Sequence, residues 1–166
     1  TTDQLLTELD GHTLILTLNR PERMNAISGP MLGELARILR EANRDPKVRV
    51  IILTGSGRGF CAGLDLVDNN PAARADRVGG EISLFDLRDS VPNVMWNMDK
   101  PMICALNGAA AGYGMDMALL CDMRISGENG KFAAVTARRN LLPESGGTWL
   151  LPRLIGWGKA SEMFFR

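Results

Sequence analysis

The stretch VRVIILTGSGRGF, residues 48–60, carries the first decision about the fold. It opens with Val48 to Leu53, a β-branched apolar run of the kind found in parallel strands covered on both faces. It closes in Thr54-Gly55-Ser56-Gly57-Arg58-Gly59, a glycine-rich exit. Upstream, the apolar residues Met31, Leu32, Leu35, Ile38, Leu39 and Ala42 fall at helical intervals. Ser28 is a candidate cap for that helix, and Asp45-Pro46 lies beyond its end. Further back, Thr13-Leu14-Ile15-Leu16-Thr17-Leu18 alternates as a strand does, and Asn19-Arg20-Pro21-Glu22 stops it. Strand, helix, strand with a glycine-rich exit is a βαβ unit, so the fold class is α/β.

Downstream, residues 68–80 (DNNPAARADRVGG) are polar and glycine-containing and read as a mobile loop. Ile82, Phe85, Val91, Val94, Met95 and Met98 predict a helix interrupted near Pro92. A short strand follows from Met102 to Leu106, then a small-residue turn from Asn107 to Gly114. The pattern next predicts a helix from Tyr113 to Asp122 and a strand from Met123 to Ser126. Thr148 to Ile155 and Ala160 to Phe165 read as helices, with Pro152 as a kink or boundary. The last residues, Glu162 to Arg166, stop in mid-helix without a cap, which reads as a fragment of a longer chain.

The 166 residues are enough for one domain with a real core, and 45% apolar with 23% charged residues is a globular composition. Nineteen basic and nineteen acidic side chains cancel. That balance provides no global field to hold nucleic acid or an anionic membrane, so neither is expected as a partner. No uncharged apolar run approaches the roughly 18 residues of a membrane span. The first residues, TTDQLLTELDG, lack the basic region of a secretory signal. Cys61, Cys104 and Cys121 are odd in number and widely spaced, which suits a reducing compartment, cytoplasm or organelle matrix. With His12 as the sole histidine and no CxxC pair, neither a Ser–His–Asp triad nor a metal centre is expected.

Chemistry is concentrated at the two glycine-rich turns. Backbone N–H groups at such turns can hold negative charge. A dinucleotide phosphate is one candidate, but Phe60 stands where a GxGxxG fingerprint needs its third glycine. An oxyanion hole, one donor from each turn, is another, and requires the two strands to be parallel neighbours. A third reading is that small residues merely permit tight turns and close helix packing.

Four blocks carry a resemblance: Asn19-Arg20-Pro21-Glu22 with Asn25-Ala26; IILTGSGRGFCAGLDL (51–66); KPMICALNGAAAGYGMDMALLCDMRIS (100–126); and LLPESGGTWLLPRLIG (141–156). Together they resemble the enoyl-CoA hydratase/isomerase, or crotonase, family over nearly the whole chain. The resemblance implies a twisted core of ββα repeats with parallel sheets, here residues 1–166, binding an acyl-CoA thioester with no separate cofactor. It also implies a following C-terminal helical region, absent from this chain, that builds homotrimers or dimers of trimers. By resemblance, the N–H groups of Leu64 and Tyr113 stabilise an enolate at the thioester oxygen. Ala62, Gly63, Asp65 and Leu66 would contact the CoA moiety, with Arg23 as the nearest cation to its phosphates; a solvated loop arginine is the alternative for Arg23. For Asp65 a structural role in its loop competes with substrate contact.

The family's hydratases hold a water between two glutamates. The first position falls on Asp116 and the second on Thr136, which cannot ionise. Glu144 corresponds to a carboxylate of some family isomerases, including the ring-epoxide phenylacetyl-CoA isomerases. Asp116 and Glu144 are therefore the candidate acid–base residues, since a 1,3-proton shift needs a base near C2 and an acid near C4. The implied reaction is isomerisation of a C=C bond through an enolate. Hydration, or a non-catalytic acyl-CoA-binding module, are the alternatives. For Asp116 the competing reading is a surface acid complementing its helix dipole; for Glu144 it is a cap on the helix that follows.

Overall fold

A computed structural model of the chain describes residues 3–67, 89–143 and 145–165. Strands β1 (Leu5–Asp10) and β2 (Thr13–Leu18) form an antiparallel hairpin. Helix α1 (Gly29–Arg44) then returns the chain to β3 (Val50–Gly55), parallel to β2 with Leu14 opposite Ile51 and Leu16 opposite Leu53. The expected βαβ unit is present. Ser28 caps α1 by accepting the Met31 N–H at 3.3 Å, and Pro30 sits in the first turn, where its missing N–H costs nothing. Met31, Leu35, Ala36, Ile38, Leu39 and Ala42 form the buried stripe of α1.

After β3 the chain makes the same move three times. A strand of a large sheet leads through a short turn into a strand of a small one: β3 into β4 (Gly59–Cys61), β5 (Met102–Leu106) into β6 (Ala109–Ala111), and β7 (Met123–Ser126) into β8 (Lys131–Ala133). The large sheet has the order β1-β2-β3-β5-β7, parallel except for the β1–β2 pair, and the small one is a parallel β4-β6-β8. Helix α2 (Val91–Trp96) precedes β5, and α3 (Tyr113–Leu120) joins β6 to β7. Two further helices, α4 (Gly147–Ile155) and α5 (Trp157–Phe165), follow β8.

The main core lies between the large sheet and α1 to α3, with Leu16, Leu18, Leu39, Ile51, Leu53 and Phe60 fully buried. A smaller cluster of Met115, Leu119, Ala134, Leu151 and Ala160 ties α3 to α4 and α5.

Some expectations change. Pro92 lies in the first turn of α2, which begins at Val91 after an extended Ser90. Helix α3 ends at Leu120, because Cys121 turns extended at φ −63°, ψ 149°. Pro152 sits inside α4, which continues to Ile155. The loop expected over 68–80 lies outside the described residues, as do Ile82 and Phe85.

Candidate functional site

Two side-chain amides fasten the first glycine turn. Asn25, fully buried with φ 56°, donates to the carbonyls of Ser56 at 2.9 Å and Gly59 at 2.8 Å. Its own oxygen accepts the Arg20 N–H at 2.8 Å. Asn107, at the end of β5, accepts the Gly55 N–H at 3.3 Å and donates to Gly57 and Gly59 carbonyls at 2.9 and 3.1 Å. The turn can be shared in this way because β3 and β5 are parallel neighbours, with Leu53 opposite Cys104. The chain therefore leaves the turn on a fixed course into β4.

That course sets the segment Ala62-Gly63-Leu64-Asp65. Ala62 donates its N–H to Met24, Ile27 donates to the Gly63 carbonyl at 2.8 Å, and Asp65 donates to the Ile27 carbonyl at 2.9 Å. This is a parallel bridge between Ile27 and Leu64. In a parallel bridge the partner residue's own N–H and C=O face away, so the Leu64 N–H is turned from Ile27. Gly63 has φ +105°, a conformation open to glycine, and a Cβ there would lie 3.0 Å from the Ala111 carbonyl and 3.6 Å from the Tyr113 nitrogen. Residues 62–64 thus lie flush against 111–113. Tyr113 is the first residue of α3, whose opening N–H groups have no intrahelical acceptor. Neither the Leu64 nor the Tyr113 amide has a hydrogen-bond acceptor among the described residues.

Asp65, expected to touch the CoA moiety or to serve its loop, has its carboxylate engaged from within. It lies 7% exposed and 3.0 Å from the Arg20 guanidinium, and its other oxygen accepts the Val67 N–H at 3.1 Å. Arg20 also donates to the Ala26 carbonyl at 2.6 Å, so the pair clamps the 62–67 segment to the loop after β2. Arg23, Ala62 and Leu66 remain exposed, and the Ala62–Met24 bond sets Arg23 close to Ala62 in space.

Asp116 is not a surface acid. It is 3% exposed in the first turn of α3, and its carboxylate fills the space where a Cβ on Gly147 would stand. The N-terminal ends of two helices, α3 and α4, therefore converge on one carboxylate. Tyr113, three residues before it, packs against the main core, and burial pushes its phenol above the ordinary range, with Cys61 and Asp116 adding to the effect. The phenol is neutral and can donate or wall a pocket, but cannot act as a base near neutral pH. The Thr136 hydroxyl is buried with no hydrogen-bond partner among the described residues. Glu144 lies outside them. Among the described residues no group of three or more His, Cys, Asp or Glu could hold a metal, and no helix is long and apolar enough to cross a membrane.

The spacing of the glycines pointed to the neighbouring turns; the roles of Asn25, Asn107 and Gly147 were not read from it. All three stand inside the quoted blocks, and their signal is a polar or missing side chain beside a turn.

Comparison with known proteins follows the same lines. A family model described as enoyl-CoA hydratase/isomerase matches residues 10–166. The 1,2-epoxyphenylacetyl-CoA isomerase of Escherichia coli K12 is 40% identical over 158 residues, 94% of this chain and 60% of that protein. The crotonyl-CoA hydratase of Syntrophomonas wolfei is 35% identical, covering 98% of this chain and 62% of that one. The crystal structure of an enoyl-CoA hydratase from Mycobacterium tuberculosis H37Rv superimposes with a TM-score of 0.81 at 38% identity, over 97% of this chain and 65% of its own. The chain spans about three-fifths of the length of such relatives.

Proposed function

This chain belongs to the enoyl-CoA hydratase/isomerase family, and on that premise we propose that it moves a C=C double bond of an enoyl-CoA through an enolate. What supports the reading is the packing of residues 62–64, with the Leu64 N–H turned away from Ile27, against the start of α3 at Tyr113, the helix that carries the buried Asp116. A thioester carbonyl set between the two amides gains negative charge when the proton at C2 leaves. Loss of one such donor typically costs about 3–4 kcal/mol of barrier.

In the proposed step one carboxylate, Asp116 or Glu144, takes the C2 proton of a 3-enoyl thioester. The electron pair moves onto the thioester oxygen as a dienolate. The same or the second carboxylate then protonates C4, and the double bond reappears between C2 and C3. No redox equivalent enters or leaves, and no cofactor is needed besides the CoA of the substrate. Ala62, Gly63 and Leu66, with Arg23 nearby, would line the path of that CoA, supported by the exposure of Ala62, Leu66 and Arg23. Isomerisation is preferred to hydration because Thr136 cannot share a water with Asp116 as a second carboxylate would.

For the whole protein the proposal is a homotrimer or a dimer of trimers in the cytoplasm. Three free, buried cysteines support the reducing compartment, and the exposed Trp149, Leu154, Trp157 and Phe165 of α4 and α5 support further association.

The test is incubation with a 3-enoyl-CoA and a 2-enoyl-CoA in heavy water, followed by mass spectrometry. Solvent deuterium appearing in a 2-enoyl product is expected, and Asp116→Asn should slow it roughly 100-fold or more. Net addition of water would replace isomerisation with hydration. Binding of both thioesters without change would make the chain a carrier of acyl-CoA.

A further inference from the structure

We propose that Gly147, the first residue of α4, is a positioning residue for Asp116: its missing side chain leaves the volume in which the carboxylate is held. The inference rests on the proposed role of Asp116 in proton transfer. It starts from what Gly147 is not needed for. Its φ lies outside the left-handed region, unlike that of Gly146 at +98°, so its backbone would accept any residue. Nor does helix formation ask for it, since alanine is the better helix former.

The neighbouring atoms supply the reason. A Cβ at 147 would overlap Asp116 Oδ1 and stand 3.1 Å from the carboxyl carbon and 3.6 Å from Oδ2. Elsewhere the glycines meet different neighbours: Gly33 and Gly158 face open space, and Gly114 abuts Cys61. Among the described glycines, Gly147 is the one whose vacant volume is taken up by a carboxylate. Asp116 is 3% exposed and has little room to retreat. The cluster of Met115, Leu119, Ala134 and Leu151 fixes α3 against α4, so neither helix drifts freely to relieve the overlap. A methyl group at 147 must therefore turn the carboxylate, and a displacement near 1 Å at a reacting group costs roughly 100-fold in rate.

The experiment is a cycle of Gly147→Ala, Asp116→Asn and the double variant, read by kcat, KM and melting temperature. Expected for Gly147→Ala is a kcat lowered roughly 10- to 100-fold with KM little changed. Combined with Asp116→Asn, it should cost no further kcat, because the group it displaces no longer transfers a proton. A stability readout stands beside this one. Asp116→Ala empties the contested volume, so Gly147→Ala in that background should melt no lower than Asp116→Ala alone. Gly158→Ala, at an open helical position, reports the propensity effect without a neighbour. Wild-type turnover by Gly147→Ala alongside a slow Asp116→Asn overturns the positioning role and leaves Asp116 catalytic. Additive melting losses in the alanine pair also overturn it. Fast turnover by Asp116→Asn instead removes the proton-transfer role of Asp116, and the positioning role with it.

Discussion

Tyr113 and Cys61 sit on either side of the segment that meets the candidate donors, and burial acts on both in one direction. The Cys61 thiol is pushed up to about 12 from 9.0 by burial, opposed by a hydrogen bond from the Gly63 backbone. The Tyr113 phenol is held above its usual 10.0, first by burial and then by Cys61 and Asp116. In the unfolded chain both groups ionise sooner. Folding stability is then fully present below pH 9, and falls as pH rises through the folded values, because the unfolded state has shed protons that the native state keeps. Melting temperature should be flat with respect to these two groups up to about pH 9 and decline above it, and Tyr113→Phe should flatten part of that decline. Tyr113 is the sole tyrosine, so the ultraviolet absorbance of phenolate reads it directly. Phenolate forming at pH 10 in the folded protein would show an open, hydrated ring.

At the scale of elements, the first glycine turn depends on Asn25. Asn25→Ala deprives the Ser56 carbonyl and the Arg20 N–H of their partner, leaves the Gly59 carbonyl to Asn107 alone, and places alanine at φ 56°. A loss of about 3 kcal/mol or more is expected in urea denaturation. A loss under about 1 kcal/mol would mean that water replaces the amide. What could be read in advance follows from the same forces. The α1 stripe and its Ser28 cap are local, and so is the alternation of β2, so each was legible. Strands β4, β6 and β8 are three residues long, and Gly59-Phe60-Cys61 and Ala109-Ala110-Ala111 show no alternation. Their existence depends on parallel partners distant in the chain, such as Cys61 with Ala110. Strand β1 escaped notice because only Leu5 of its six residues is buried. At the site, the neighbouring glycine turns were legible in the spacing, while the burial of Asp116 was not, since an acid in a first helical turn usually faces water.

Over the whole molecule, stability should be uneven. Strands β2, β3 and β5 lie inside the large sheet over the main core, whereas α5 contributes a single buried residue, Ala160. Amide hydrogen exchange should therefore be slowest in β2, β3 and β5 and fastest, among the regular elements after β8, in α5. Equal protection of α5 and β3 would mean one cooperative unit in place of a core with an appended helical pair. Leu151, 3% exposed in the smaller cluster, links that pair to α3. Leu151→Ala should cost about 2–5 kcal/mol and speed exchange in α4 and α5 more than in the sheet.

The flush packing of residues 62–64 on 111–113 has a consequence for how the chemistry can be altered. Both candidate donors are amides of the main chain, so no substitution at Leu64 or Tyr113 other than proline deletes them; on the proposed function it changes only what surrounds the acyl group. On the proposed function, saturation libraries at these two positions, proline aside, should thus yield variants that differ in the thioesters they accept while keeping a common reaction. Proline deletes an N–H but also adds a ring and fixes φ, so removing a donor alone requires editing the polymer itself. An α-hydroxy acid incorporated at either position would put an ester oxygen where the N–H stood. Such a backbone ester isolates the donor's share of the rate with both side chains left in place.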